Sequence, residues 1–261
     1  MMYEICARTD QGLVRKNNED AVVFDLKTGL CLLADGMGGY NAGEVASGMA
    51  VTFLSQELTA WLVRAGNGAS SRELRRTMKA CVNQVNHSIF SAASSNPDYA
   101  GMGTTLVAGV FLNARLVLGH IGDSRCYRLR GRVLQQITKD HSLLQEQVDA
   151  GLMTAKQAQA SPHRNLITRA LGVENSVLVE INEHRTEPGD LYLMCSDGLS
   201  DMVLDTVIEA ILSAPGDLLE KALALISVAN DKGGRDNISV LLVQAAKEEP
   251  PRSLLSRMLG K

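Results

Sequence analysis

The sequence predicts a layered α+β domain built on antiparallel sheets. Two observations carry this. Strand-like stretches come in runs, set apart from runs of helix-like stretches instead of alternating with them one by one. Successive strand-like stretches are also joined by connections too short for a crossover helix.

Residues 4–9, 21–25 and 30–34 are rich in aliphatic side chains and read as strands. Helical stretches follow near 43–63 and 71–93, and Arg64-Ala65-Gly66-Asn67-Gly68 breaks them apart. Strands return at 104–111, 115–121, 125–129 and 132–137, with Asn113-Ala114 and Arg130-Gly131 as hairpin turns. A polar excursion over 141–168 contains Gly151 and Ser161-Pro162 and reads as two short helices. Strands at 177–184 and 190–195, helices at 204–212 and 218–230, and a strand at 237–244 complete the series. No composition break marks a boundary, so residues 1–246 are expected to form one domain, with 141–168 an inserted subdomain. The last segment, 247–261, places Arg252, Arg257 and Lys261 among leucines after Pro250-Pro251, and reads as a short basic tail.

A chain of 261 residues with 45% hydrophobic content can build a core without disulfides. The five cysteines are odd in number and form no C-x-x-C pair, so buried free thiols in a reducing cytosol are expected. A net charge of −3, with Lys and Arg dispersed, excludes a nucleic-acid footprint. The start of the chain lacks the layout of a signal peptide, and no apolar run approaches the ~20 residues of a membrane span.

The acidic residues are placed unusually. Leu30 to Ala34 ends in Asp35-Gly36; Leu191 to Ser196 ends in Asp197-Gly198; Leu116 to Ile121 ends in Gly122-Asp123-Ser124. Asp236-Asn237 opens the last strand, and Asn18-Glu19-Asp20 precedes Ala21. One aspartate at a strand end is ordinarily a turn residue or cap. Five at strand mouths, if the sheets gather them, repel one another until cations offset the charge. All-oxygen ligand sets favour hard ions such as Mg²⁺, Mn²⁺ or Ca²⁺. Glycine at position 36 permits close backbone approach, and its carbonyl is a further candidate ligand. Two such ions about 4 Å apart can lower the pKa of a shared water and make it a nucleophile for attack on phosphorus. Arg15, upstream of Asp20, is the candidate cation for phosphoryl oxygens, which a guanidinium grips in bidentate fashion. Gly36-Met37-Gly38-Gly39 lacks the spacing and lysine of a nucleotide loop. Neither Ser124 nor Ser196 sits in a G-x-S-x-G elbow.

In order, the chain carries TDQGLVRKNNED (Thr9 to Asp20), ADGMGG (Ala34 to Gly39), GTT (Gly103 to Thr105) and GDSR (Gly122 to Arg125). DHS (Asp140 to Ser142), TRALG (Thr168 to Gly172), SDGL (Ser196 to Leu199) and Asp236-Asn237 follow. Each is weak alone, but together and in this order the sequence resembles the PP2C-like (PPM) metal-dependent protein phosphatases, the compact bacterial members in particular. The resemblance spans nearly the whole chain. It implies an αββα sandwich, two central antiparallel sheets flanked by helices, with 141–168 as the flap beside the active site. It implies hydrolysis of phosphoserine and phosphothreonine by two Mn²⁺ or Mg²⁺ ions, with a third possible in bacterial members. Asp20, Asp197 and Asp236 would hold one ion, Asp35 would bridge both, the Gly36 carbonyl would bind the second, and Asp123 with Asp197 would serve the third. Arg15 would hold the substrate phosphate, and Glu19 and Asn237 would orient ligands or waters. Met37 stands where eukaryotic members place a histidine proposed as general acid, and His141 is read as structural. The expected setting is a bacterial cytosol, where a monomeric enzyme opposes a Ser/Thr kinase on phosphoprotein substrates. The alternative is a catalytically inactive binding module of the same fold, which would be expected to lack metal ligands.

Overall fold

Eleven strands of the computed structural model, which describes residues 1–39, 42–154, 157–158 and 166–246, form two antiparallel sheets. The first contains β2 (Asp20–Asp25), β3 (Leu30–Met37), β5 (Leu106–Leu112), β6 (Arg115–Ile121) and β9 (Glu180–Arg185) in that spatial order, and β4 (Gly103–Thr104) also pairs with β3. The second runs β1 (Tyr3–Asp10), β11 (Ile238–Ala245), β10 (Leu191–Cys195), β7 (Arg125–Arg130) and β8 (Val133–Gln136).

Strand periodicity sorts the core into three layers. Leu30, Leu32 and Ala34 point outward from β3 onto helices α1 (Ala42–Ala65) and α2 (Ser71–Ser95). Cys31 and Leu33, from the same strand, point inward with Val107, Leu116 and Leu118 to meet Tyr192, Met194, Leu241 and Val243 of the other sheet. Leu191, Leu193 and Cys195 alternate outward under α5 (Asp205–Ser213) and α6 (Leu218–Asp231). The result is helix layer, sheet, sheet, helix layer, as the family resemblance implied. Each buried leucine contributes roughly 1.5–3 kcal/mol through removal from water.

Local chemistry sets the element ends. Reciprocal capping boxes start α2, where Ser70 accepts from the Glu73 N–H, and α6, where Asp217 accepts from the Glu220 N–H. Asn113 and Ala114 carry positive φ values of 50° and 59° in the β5–β6 turn, as a tight hairpin requires. All five cysteines are free; Cys31, Cys81, Cys126 and Cys195 are buried and Cys6 is half-buried.

Three expectations change. The strand expected over 104–111 is interrupted at Thr105, whose hydroxyl accepts from the Asp35 N–H while its own N–H donates to the Asp35 carbonyl. The strand expected over 177–184 begins only at Glu180, because pairing with β6 starts there. A one-turn helix, α4 (Asp197–Ser200), follows β10 where none was expected. Of the excursion, α3 (Leu143–Asp149) is described, and its base is closed by the Ser142–Ile167 bridge. The expected second helix falls largely, and the basic tail 247–261 wholly, outside the described residues.

Asn86 on α2 shows how a buried polar group fixes a loop. Its side chain accepts from the Gly172 N–H at 2.9 Å and donates to the carbonyls of Glu174 at 3.0 Å and Asn175 at 3.3 Å. Replacing Asn86 with leucine leaves these backbone groups unsatisfied. Urea denaturation of Asn86→Leu is expected to show a loss of about 2–4 kcal/mol.

Candidate metal and phosphate site

The strand directions bring the five predicted aspartates to one rim of the sandwich. Asp20 opens β2 and lies directly across from Asp35 of β3 in the register. Asp123 follows β6, Asp197 follows β10, and Asp236 precedes β11. Antiparallel pairing places the C-terminal end of β3 beside the N-terminal end of β2, that of β6 beside the N-terminal ends of β5 and β9, and that of β10 beside the N-terminal ends of β7 and β11. Three of the five aspartates therefore come from one sheet and two from the other.

The site is electrostatically strained. Burial raises the Asp35 carboxyl well above the ordinary range, and the charges of Asp20, Asp197, Asp123 and Asp236 raise it further. Asp197 is raised in the same way, by burial first and then by Asp123, Asp236, Asp201 and Asp20. Burial pushes Asp20 up to about 6 and Asp123 to about 7. Asp20 Oδ1 and Asp123 Oδ1 are buried without a hydrogen-bond partner. Carboxylate oxygens crowded together and lacking donors are what a hard divalent cation would satisfy, so the residues fit the ions implied for them.

A supporting shell fixes these groups, and part of it had no role assigned from the sequence. Ser196 Oγ donates to Asp20 Oδ2 at 2.8 Å and accepts from the Ser239 N–H at 2.9 Å. Thr104 Oγ1 donates to the Asp35 carbonyl at 2.8 Å, while Thr105 Oγ1 accepts from the Asp35 N–H at 3.0 Å and lies 2.7 Å from Ser124 Oγ. Their position in motifs that abut aspartates was the available signal. Glu19 and Asn237, expected to orient ligands or waters, are tied to each other and to nearby backbone. Asn237 Oδ1 accepts from the Glu19 N–H at 2.8 Å, and its Nδ2 donates to the carbonyls of Gln11 and Asn17. The Glu19 carbonyl accepts from the Gly36 N–H and from Ser47 Oγ. Gly36 has no room for a side chain, because a Cβ there would strike the carbonyls of Gly43 and Glu19.

Arg15 reaches the rim from the loop after β1. Its Nη2 donates to Asp236 Oδ2 at 2.5 Å, and its side chain keeps 50% of its exposure. The guanidinium thus stands beside the carboxylates, open to an incoming anion.

His141 is structural, as expected. Its Nδ1 accepts from the Gly122 N–H at 3.1 Å, and its backbone bonds Gly122 and Thr168. With His120 and Glu180 it forms a trio whose ligand atoms lie within 4.8 Å of one another. An Nδ1 that accepts a hydrogen bond leaves the proton on Nε2, which faces Glu180 at 3.6 Å. With its Nδ1 engaged, His141 offers no free lone pair, and the trio is read as a packed polar contact and not as a ligand set.

The chain matches the family model for protein phosphatase 2C over residues 14–223. It is 42% identical over 243 residues to the serine/threonine phosphatase stp of Listeria monocytogenes, covering 91% of this chain and 94% of that one. The crystal structure of the Mycobacterium tuberculosis serine/threonine phosphatase PstP/Ppp superposes with a TM-score of 0.86 at 41% identity, covering 94% of this chain and 100% of that one. A structure of the PstP catalytic domain in complex with two manganese ions gives a TM-score of 0.82 at 40% identity, covering 94% and 99%.

The raised carboxyls set a pH dependence. Asp20 and Asp123 rise from an ordinary 3.8 to about 6 and about 7, so the folded chain holds more protons than the unfolded chain across that window. Stability of the metal-free protein is then greatest at the acidic end and falls as pH rises through the window. Melting temperatures measured in EDTA are expected to show this decline, more shallowly in Asp35→Asn, and Mn²⁺ is expected to reverse it at neutral pH.

Proposed function

The chain belongs to the protein phosphatase 2C family and is a metal-dependent serine/threonine phosphatase working with Mn²⁺ or Mg²⁺, and from that premise we propose that the aspartate rim is its catalytic centre. The observation that carries this reading is the convergence of Asp20, Asp35, Asp123, Asp197 and Asp236 from both sheets at one rim, where burial and neighbouring charges raise the carboxyls of Asp20, Asp35, Asp123 and Asp197. Asp20, Asp197 and Asp236 would hold one ion, and Asp35 would serve both ions of a pair. The Gly36 carbonyl would serve the second, and Asp123 with Asp197 a third. When bound, such cations supply an activated water for in-line attack and neutralise phosphoryl oxygens.

This chain's own residues do the positioning. Ser196 holds the Asp20 carboxylate, and Thr104 with Thr105 holds the Asp35 backbone, so ligand oxygens need little reorganisation. Asn237 fastens the loop that carries Arg15 and Glu19 to the start of β11. Arg15 supplies a planar fork for the phosphate, drawn to the rim by Asp236. Met37 carries no transferable proton, so it cannot protonate the leaving alkoxide.

The substrates are phosphoproteins. Residues 1–246 act as one phosphatase unit with 141–168 as its flap, in a bacterial cytosol, as a monomer that opposes a Ser/Thr kinase. Bacterial phosphatases among the relatives support this setting. No helix among the described residues is long and apolar enough to cross a membrane. An inactive binding module has no support, since every predicted acidic ligand is present at the rim.

The test is a metal titration after EDTA treatment, on a phosphothreonine peptide and on p-nitrophenyl phosphate. Mn²⁺ or Mg²⁺ is expected to restore turnover. Asp35→Asn is expected to lose at least ~10³-fold in kcat. Arg15→Ala should lose ~10–100-fold in kcat/KM, largely through KM. Full activity in Asp35→Asn would overturn the assignment.

A further inference from the structure

A cleft of about 280 Å³ opens beside the aspartate rim, between α3 of the excursion and the segment that runs from α4 into α5. Asp123 and Asp197 line it at the rim, and Asp123 Oδ1 is buried there without a partner. Three more aspartates, Asp140, Asp201 and Asp205, line its remaining walls. Leu144, Val148, Met202 and Val203 supply apolar surface between them.

The arginine in this wall is already spent. Arg125 donates Nε and Nη2 to Asp140, the shortest contact being 2.6 Å, and Nη1 to Tyr127 Oη at 3.0 Å. Gln136 Nε2 adds a third donor to Asp140 at 2.8 Å. Asp140 is thereby neutralised, and the aspartates of the rim belong to the ions. Asp205 stands at the exposed mouth, where its Oδ1 accepts from Tyr127 Oη at 3.1 Å, and Asp201 lies between it and the rim. An apolar-walled cleft with the Asp205 carboxylate at its mouth suits a side chain with an aliphatic stem and a cationic head. It repels an acidic one.

We propose that this cleft is a substrate subsite that takes a lysine or arginine flanking the phosphorylated serine or threonine, so that the enzyme selects phosphoproteins with basic neighbours. The inference rests on the aspartate rim being the catalytic centre, because only then does a bound phosphate place the adjoining residue beside the cleft. Attraction of a cation and repulsion of an anion at this exposed carboxylate together give discrimination of about tenfold.

The experiment uses the Mn²⁺-loaded enzyme and phosphothreonine peptides that carry Arg, Ala or Glu at each of the three positions on either side in turn. Wild type is expected to show kcat/KM in the order Arg, Ala, Glu at one position or more, with about a tenfold span. Asp205→Asn keeps an oxygen for Tyr127, and Val148→Arg adds a cation from the flap side. Each is expected to reduce the span below about twofold and to leave p-nitrophenyl phosphate hydrolysis unchanged. Equal turnover of Arg and Glu peptides at every position overturns the proposal, and so does a span undiminished in both variants. Failure of wild type to hydrolyse p-nitrophenyl phosphate would instead overturn the assignment of the rim, and the subsite with it.

Discussion

The packing of one sheet against the other is the constraint on which the site depends. Cys31, Leu33, Val107, Leu116 and Leu118 meet Tyr192, Met194, Leu241 and Val243 in a dry layer. Neither sheet carries a full ligand set. Asp20, Asp35 and Asp123 ride on one, Asp197 and Asp236 on the other. Their relative placement is therefore only as exact as the interdigitation of these side chains. Interiors packed at crystal-like density hold such placements because they deform little.

That apolar layer works against an opposing force. Five carboxylates at one rim repel, and burial denies Asp20, Asp35, Asp123 and Asp197 the water that would screen them. The fold spends part of its stability on holding them there, and the hydroxyls of Ser196, Thr104 and Thr105 aim groups that would otherwise splay. Stored repulsion of this kind is common at functional sites, where it becomes affinity once a counter-charge arrives. Metal affinity and metal-free fragility have the same origin here.

Much of this was legible in the sequence because strands and their ends carry simple signals. The unbroken apolar runs Leu30 to Ala34 and Leu191 to Cys195 marked strands, and the aspartate that follows each run marked the rim. The split at Thr105 was not legible, since it depends on two hydroxyls finding the Asp35 backbone, a tertiary event. The helix Asp197–Ser200 was too short for periodicity to reveal. Ser196 and Asn237 show the same limit: both adjoin aspartates, yet their partners Asp20 and Glu19 lie far away in the chain. The spent state of Arg125 could not be read from composition, which counts a cation without telling whether it is engaged.

The strand directions that gather the acids at one rim send the turns to the other. The β5–β6 turn at Asn113-Ala114, the β2–β3 turn before Leu30 and the β7–β8 turn at Gly131 all lie at the far end of the sandwich. Chemistry occupies one pole of the molecule and these three hairpin turns the other. The distal pole is thus free to accept insertions, tethers or fused modules without redrawing the catalytic rim. A scaffold with this polarity can be recruited to different cellular addresses while its chemistry stays the same.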